Sequence, residues 1–126
     1  MTLKLQCLTV DCSNPAALAD FWAQALGWHV GVGGDEIGVW IERELGDPRE
    51  TGFPDILFLK VPDLKTGKNR MHFDLRPDDQ ESEVARLESL GARRIDIGQD
   101  EDPDTTWVVM ADPEGNEFCV LKAPTK

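Results

Sequence analysis

Apolar and polar residues alternate in short runs along this chain, and two longer amphipathic stretches interrupt them. From Gln6 onward, Leu8 and Val10 point one way while Cys7, Thr9 and Asp11 point the other, which predicts a strand with one buried face. Ser13, Asn14 and Pro15 then form a helix start. Asn14 is suited to accept from free amides, and Pro15 sits where its missing N–H costs nothing. Leu18, Phe21, Trp22 and Ala25 recur at three- and four-residue steps, predicting a helix over residues 15–26 that Gly27 closes. Further strands are predicted at 28–32, 37–41 and 55–61, and residues 44–54, rich in Gly, Pro and charge, read as a loop.

The pattern then restarts. Over residues 71–76, Met71, Phe73 and Leu75 share one face, and His72, Asp74 and Arg76 share the other. Pro77, Asp78 and Asp79 lead into a helix carrying Val84, Leu87 and Leu90, closed by Gly91. Strands are predicted at 93–97, 106–110 and 117–121, with residues 112–116 as a tight turn into the last. The repeat is countable: Cys7 to Asn14 and His72 to Asp79 both span seven positions, and Asn14 to Gly27 and Asp79 to Gly91 span thirteen and twelve. Each half is a β-α-β-β-β unit, about 1–62 and about 69–123, within a single domain over 1–126. Two units are too few for a solenoid. The expected fold is α+β, with the two modules forming a cupped mixed sheet. The helices lie on its outer face, where Leu8, Val10, Phe73 and Leu75 need apolar cover.

In such a fold the other strand faces line a hollow. Cys7, Thr9 and Asp11 come from the first strand, Leu57 and Leu59 from the fourth, His72, Asp74 and Arg76 from the fifth, and Glu117, Cys119 and Leu121 from the last. A buried polar group without a partner costs roughly 1–3 kcal/mol, so these side chains satisfy one another or meet ligand and water. Trp40 and Trp107, in strands, are candidate walls for a flat or apolar ligand, whereas Trp22 belongs to the helix stripe and the core. The candidate ligand-contacting residues are Cys7, Thr9, Trp40, Leu59, His72, Asp74, Arg76, Trp107 and Cys119, with His72 as the candidate acid or base. The competing reading makes His72 a core histidine tied to Asp74 or Arg76, and Asp74 and Arg76 a mutual ion pair. The basic run over residues 65–70 reads as an anion-binding entrance or as a solvated connection.

Charge narrows the partners. Thirteen Lys and Arg against twenty-four Asp and Glu give a net charge of −11, which repels phosphate backbones and anionic lipid and argues against nucleic-acid and membrane-surface roles. The run Asp100-Glu101-Asp102-Pro103-Asp104 reads as a solvated loop. No apolar run approaches the roughly 20 residues that span a bilayer. With no leader pattern at the start, the cytoplasm is the expected location. Three cysteines without a CxxC argue against a disulfide framework. No nucleophile elbow, His-Glu-x-x-His pair, dinucleotide fingerprint or phosphate loop occurs.

Three stretches carry a family resemblance: LTVDCSNPAALADFWAQALGW, KTGKNRMHFDLRPDD and DPEGNEFCVL. Together they resemble the glyoxalase-like branch of the glyoxalase/bleomycin-resistance/dioxygenase (vicinal-oxygen-chelate) superfamily. The resemblance implies the cupped fold and a divalent metal held by one side chain from each of four strands. The usual ligands are His or Gln, then Glu or His, then His, then Glu, and these positions fall on Cys7, Leu59, His72 and Cys119. Only His72 keeps the usual type, Leu59 has no donor atom, and a hard cation prefers oxygen ligands. The resulting expectation is a protein that binds a small molecule in the cup, with no metal or other cofactor. One alternative is a lyase or isomerase acting on a small polar metabolite through His72, with zinc or another divalent metal at Cys7, His72 and Cys119. Another is a structural or interaction module with a filled cup. Similar domains pair, and open sheet edges give a physical reason to expect a homodimer.

Overall fold

The computed structural model describes residues 3–95 and 106–124. The chain forms two compact units, Met1–Leu64 and Lys65–Lys126. The first contains β1 (Cys7–Cys12), α1 (Pro15–Leu26), β2 (His29–Val30), β3 (Gly38–Glu42), α2 (Pro48–Thr51) and β4 (Asp55–Lys60). The second contains β5 (Asp74–Leu75), α3 (Gln80–Leu90), β6 (Arg93–Arg94), β7 (Val108–Ala111) and β8 (Glu117–Val120). Each unit has a four-stranded mixed sheet, in the order β1-β4-β3-β2 and β5-β8-β7-β6. The matched orders are the structural form of the sequence repeat. In each, the unit's first strand runs parallel to its last, and the remaining pairs are antiparallel.

In the first unit, period-two alternation sorts the two sheet faces. Val39 and Ile41 of β3 and Ile56 and Phe58 of β4 are buried, as are Leu18, Phe21 and Trp22 of α1, which packs on these strands. Leu8 and Val10 lie in register with Ile56 and Phe58, so the apolar side of β1 joins this face. Phe21 and Trp22 meet edge to face at 5.1 Å. The helix begins and ends as predicted: Asn14 Oδ1 accepts from the Ala17 amide at 3.2 Å, and Gly27 takes a left-handed φ of 70°.

The second unit is more deeply buried at its centre, where all four residues of β8 and Val109, Met110 and Ala111 of β7 are buried. The turn between these strands is built on one side chain. Asp112, 1% exposed, accepts from the amides of Glu114 and Asn116 at 2.9 Å and from the Asn116 side chain.

Several expectations change. The loop at 44–54 contains the short helix α2, started by Pro48. The strand predicted at 71–76 pairs over Asp74–Leu75, with further ladder bonds from Cys119 N–H to Phe73 C=O at 2.9 Å and from Leu121 N–H to Leu75 C=O at 2.8 Å. Met71, expected on its apolar face, is 78% exposed. The seventh strand starts at Val108, leaving Trp107 just outside it. Positions 96–97 of the predicted sixth strand and the acidic run at 100–104 lie outside the described residues.

The two helix starts differ in a testable way. Asp79 occupies the position of Asn14 yet makes no side-chain cap bond to its helix, its carboxylate accepting from the Ser82 hydroxyl instead. Asn14→Ala is expected to lower stability by about 1 kcal/mol and Asp79→Ala by less, measured by chemical denaturation.

Candidate functional site

In the second unit, Asp74 of β5 lies directly opposite Cys119 of β8. Residues in register share a face, so the carboxylate and the thiol meet. Their thiol–carboxylate hydrogen bond has the thiol as donor, because a carboxylate only accepts. Burial pushes the Cys119 thiol up first, and the Asp74 charge and hydrogen bond add to it; Lys68 pulls the other way without reversing the shift. Two residues before Asp74, His72 Nε2 stands 3.2 Å from Asp74 Oδ1. The donor atoms of His72, Asp74 and Cys119 all lie within 4.8 Å of one another. The side chains of His72 and Asp74 are 42% and 54% exposed, whereas Cys119 is buried. His72 is therefore paired to Asp74 as the competing reading had it, but it is not a core residue. Arg76 does not complete an ion pair with Asp74; its Nη1 donates to the Lys122 carbonyl at 2.7 Å.

Glu117, on the same face of β8 as Cys119, is a buried carboxylate with both oxygens engaged. Oε1 accepts from the Asn69 amide at 2.7 Å, and Oε2 pairs with Lys65 Nζ at 2.6 Å. Burial alone would raise its pKa, but the Lys65 hydrogen bond, the Asn69 amide and the Lys65 charge outweigh it and hold the carboxyl below its ordinary value. The sequence placed Glu117 beside Cys119 without a partner. A carboxylate facing inward calls for a cation, and the basic run at 65–70 supplies it.

The candidates of the first unit lie on its helix-free sheet face. Thr9, Leu57 and Trp40 are in register across β1, β4 and β3, and Leu59 is in register with Asp11 and Gly38. Cys7 Sγ is 3.8 Å from Thr9 Oγ1. Trp40 Nε1 donates to Glu42 at 3.0 Å, and the indole lies so close over Gly31 that a Cβ there would sit 2.0 Å from Nε1. Gly31 is thus required by close approach rather than by its dihedral angles. The face ends at Asp55, whose carboxyl is raised by burial and then by Glu42 and Asp47.

The structure therefore brings His72, Asp74 and Cys119 together in the second unit, with Arg76 turned to Lys122. Cys7, Thr9, Trp40 and Leu59 belong to the first unit, and Trp107, 39% exposed, precedes β7. Tested against a hard divalent cation, the family's usual four positions do not fit: Leu59 offers no donor and the Cys119 thiol is held neutral. The cluster that forms in the second unit, His72, Asp74 and Cys119, offers nitrogen, oxygen and sulfur donors, a set suited to zinc.

Comparison with known proteins places this geometry in a family. Residues 7–121 match the family model described as a glyoxalase-like domain. The chain belongs to that family. A solved glyoxalase/bleomycin resistance protein/dioxygenase family enzyme from Burkholderia phytofirmans superposes with a TM-score of 0.71 at 18% identity, covering 97% of this chain and 100% of that one. TnmS3, an antibiotic-binding protein from Streptomyces sp. CB03234, gives 0.62 at 18% identity over 98% and 99% of the two chains. The bleomycin-binding protein of Streptomyces verticillus, solved with copper(II)-bleomycin, gives 0.58 at 14% identity over 98% and 100%. At these identities the likeness shows the fold. No curated protein matches the sequence. Among the described residues, no helix is long and apolar enough to cross a membrane.

The Glu117 pairing gives a pH prediction. A folded pKa below the unfolded value contributes stability that is complete above the unfolded glutamate pKa of about 4.3 and is lost as pH falls through the folded value. Glu117→Gln is therefore expected to lower stability at neutral pH and to flatten part of the acid limb, read from denaturation at a series of pH values. An acid limb identical to the unsubstituted protein's would contradict this account of the carboxylate.

Proposed function

We propose that this chain is a small-molecule-binding glyoxalase-like protein that engages a polar group of its ligand at His72 and Asp74, without the family's usual four-strand metal site. The observation that carries this reading is the combination of exposure and anchorage. Two polar side chains stand open to solvent while the strand behind them is buried, which favours a preset arrangement over a mobile surface. Asp74 Oδ1 accepts from His72 Nε2, which leaves the other ring nitrogen to accept from a ligand or to exchange a proton with it. The antibiotic-binding and bleomycin-binding structural relatives support small-molecule binding as the role. The family match spans both units, which supports their acting as one domain.

The His72–Asp74–Cys119 cluster favours a second reading, a lyase or isomerase acting on a small polar metabolite. His72, Asp74 and Cys119 would hold zinc there, and bound zinc would supply Lewis-acid polarisation of a substrate oxygen. A homodimer is also proposed. β2 stands at the edge of its sheet with His29 and Val30 exposed, which offers a second copy a strand to pair with.

A thermal-shift screen against a metabolite panel is expected to yield stabilising ligands whose effect falls in His72→Ala and Asp74→Asn. Metal analysis of protein purified without chelator should show well under one zinc per chain. Stoichiometric zinc that disappears in Cys119→Ser would instead establish the second reading, and a panel without any stabilising ligand would count against both. Light scattering should report a dimer; a monomer at high concentration would reject the pairing.

A further inference from the structure

We propose that Glu117 is a positioning residue for the His72 site: through Asn69 and Lys65 it fixes the segment that presents the imidazole to Asp74. The inference rests on the reading of His72 and Asp74 as the ligand-engaging pair, and it deepens that reading by naming what holds the pair in place.

Strand β5 is short. The alternating pattern of residues 71–76 predicts ladder pairing through His72, but the ladder bonds begin at Phe73, whose carbonyl accepts from Cys119 N–H, and continue with Leu75, whose carbonyl accepts from Leu121 N–H. His72 therefore lies one residue outside the ladder. Upstream, Arg70 and Met71 are exposed. The nearest upstream anchor is Asn69, whose amide donates to Glu117 Oε1 and whose side chain approaches the Glu117 carbonyl at 3.4 Å. Lys65 closes the same carboxylate from the other side, and its ammonium also reaches the Gly67 carbonyl, so the segment is gathered around one buried group.

Both anchors are on β8, two residues apart. Glu117 takes the chain at Asn69 and Cys119 takes it at Phe73, and the three residues between them, 70–72, span the gap. At a reach of about 3.3–3.6 Å per residue, a segment so short and fixed at both ends has few conformations. Freed at Asn69, it is tethered at one end only, and exposed side chains with no ladder bond then sample many arrangements. Glu117 does not touch His72 in this account. It acts by restricting the backbone that carries it.

The imidazole itself is the reporter. The chain has two histidines, His29 in the first unit and His72, so long-range proton–nitrogen NMR resolves both, with His29 as internal control. A proton fixed on Nε2 by Asp74 separates the two ring-nitrogen shifts of His72, and loss of the contact averages them. Glu117→Gln keeps an acceptor for Asn69 but releases Lys65. The double variant Lys65→Met with Glu117→Leu removes both charges and the acceptor for Asn69, so no unpaired charge stays buried, and it is the one to read if the single variant does not fold. Asp74→Ala breaks the contact directly. The separation is expected to narrow for His72, and not for His29, in Glu117→Gln and further in the double variant, approaching that of Asp74→Ala; Lys65→Arg is expected to keep it. A His72 separation unchanged in the double variant, while Asp74→Ala collapses it, would overturn the proposal. No ligand is needed, so this result stands apart from the metabolite screen: failure of the screen alone challenges the binding reading, and failure here alone challenges the positioning role.

Discussion

The arrangement depends on a constraint at β8. All four of its residues, Glu117 to Val120, are buried, yet one of its two faces carries a carboxylate and a thiol. A buried charge must be paired, and a buried thiol prefers its neutral form. Lys65 and the Asn69 amide meet the first demand, and Asp74 meets the second by accepting from Cys119. The segment leading to His72 and the strand leading away from it are thus fixed by the same strand.

That constraint also sets the chemistry. The family's usual metal site asks one side chain from each of four strands for a hard ligand. Here Leu59 supplies none, and the thiol of Cys119 is stabilised in its protonated form. Asp74 directs its negative charge toward a histidine and a thiol at once, which makes it the hub of the cluster. The pair that remains accessible, His72 with Asp74, can accept a hydrogen bond and transfer a proton, and such an element can serve recognition as well as catalysis. Fold kinship alone would not choose between these.

Much of the fold was legible in the sequence because its signals are local. Asn14, Pro15 and Gly27 mark the first helix to the residue, and the alternation of β1 and β4 sorted their faces correctly. The signals failed where tertiary pairing overrides pattern. Residues 71–76 alternate over their whole length, but β8 pairs with only part of that run, which left Met71 exposed and His72 outside the ladder. The helix α2 escaped notice because Gly46, Pro48 and charges read as loop chemistry. Of the site, the sharing of a face by Cys119 and Glu117 and by His72 and Asp74 followed from period two. That Asp74 bridges His72 to Cys119, and that Lys65 and Asn69 hold Glu117, depends on contacts across the strand pairing and the preceding loop, which no spacing rule encodes.

A high-resolution crystal structure with the proton positions of the second unit resolved tests the central claim most directly. The account predicts Asp74 accepting from both the His72 Nε2–H and a protonated Cys119, with an ionised Glu117 enclosed by Lys65 and the Asn69 amide. A Cys119 thiolate bound to a metal ion, or a His72 ring turned away from Asp74 with Glu117 released to solvent, would contradict it.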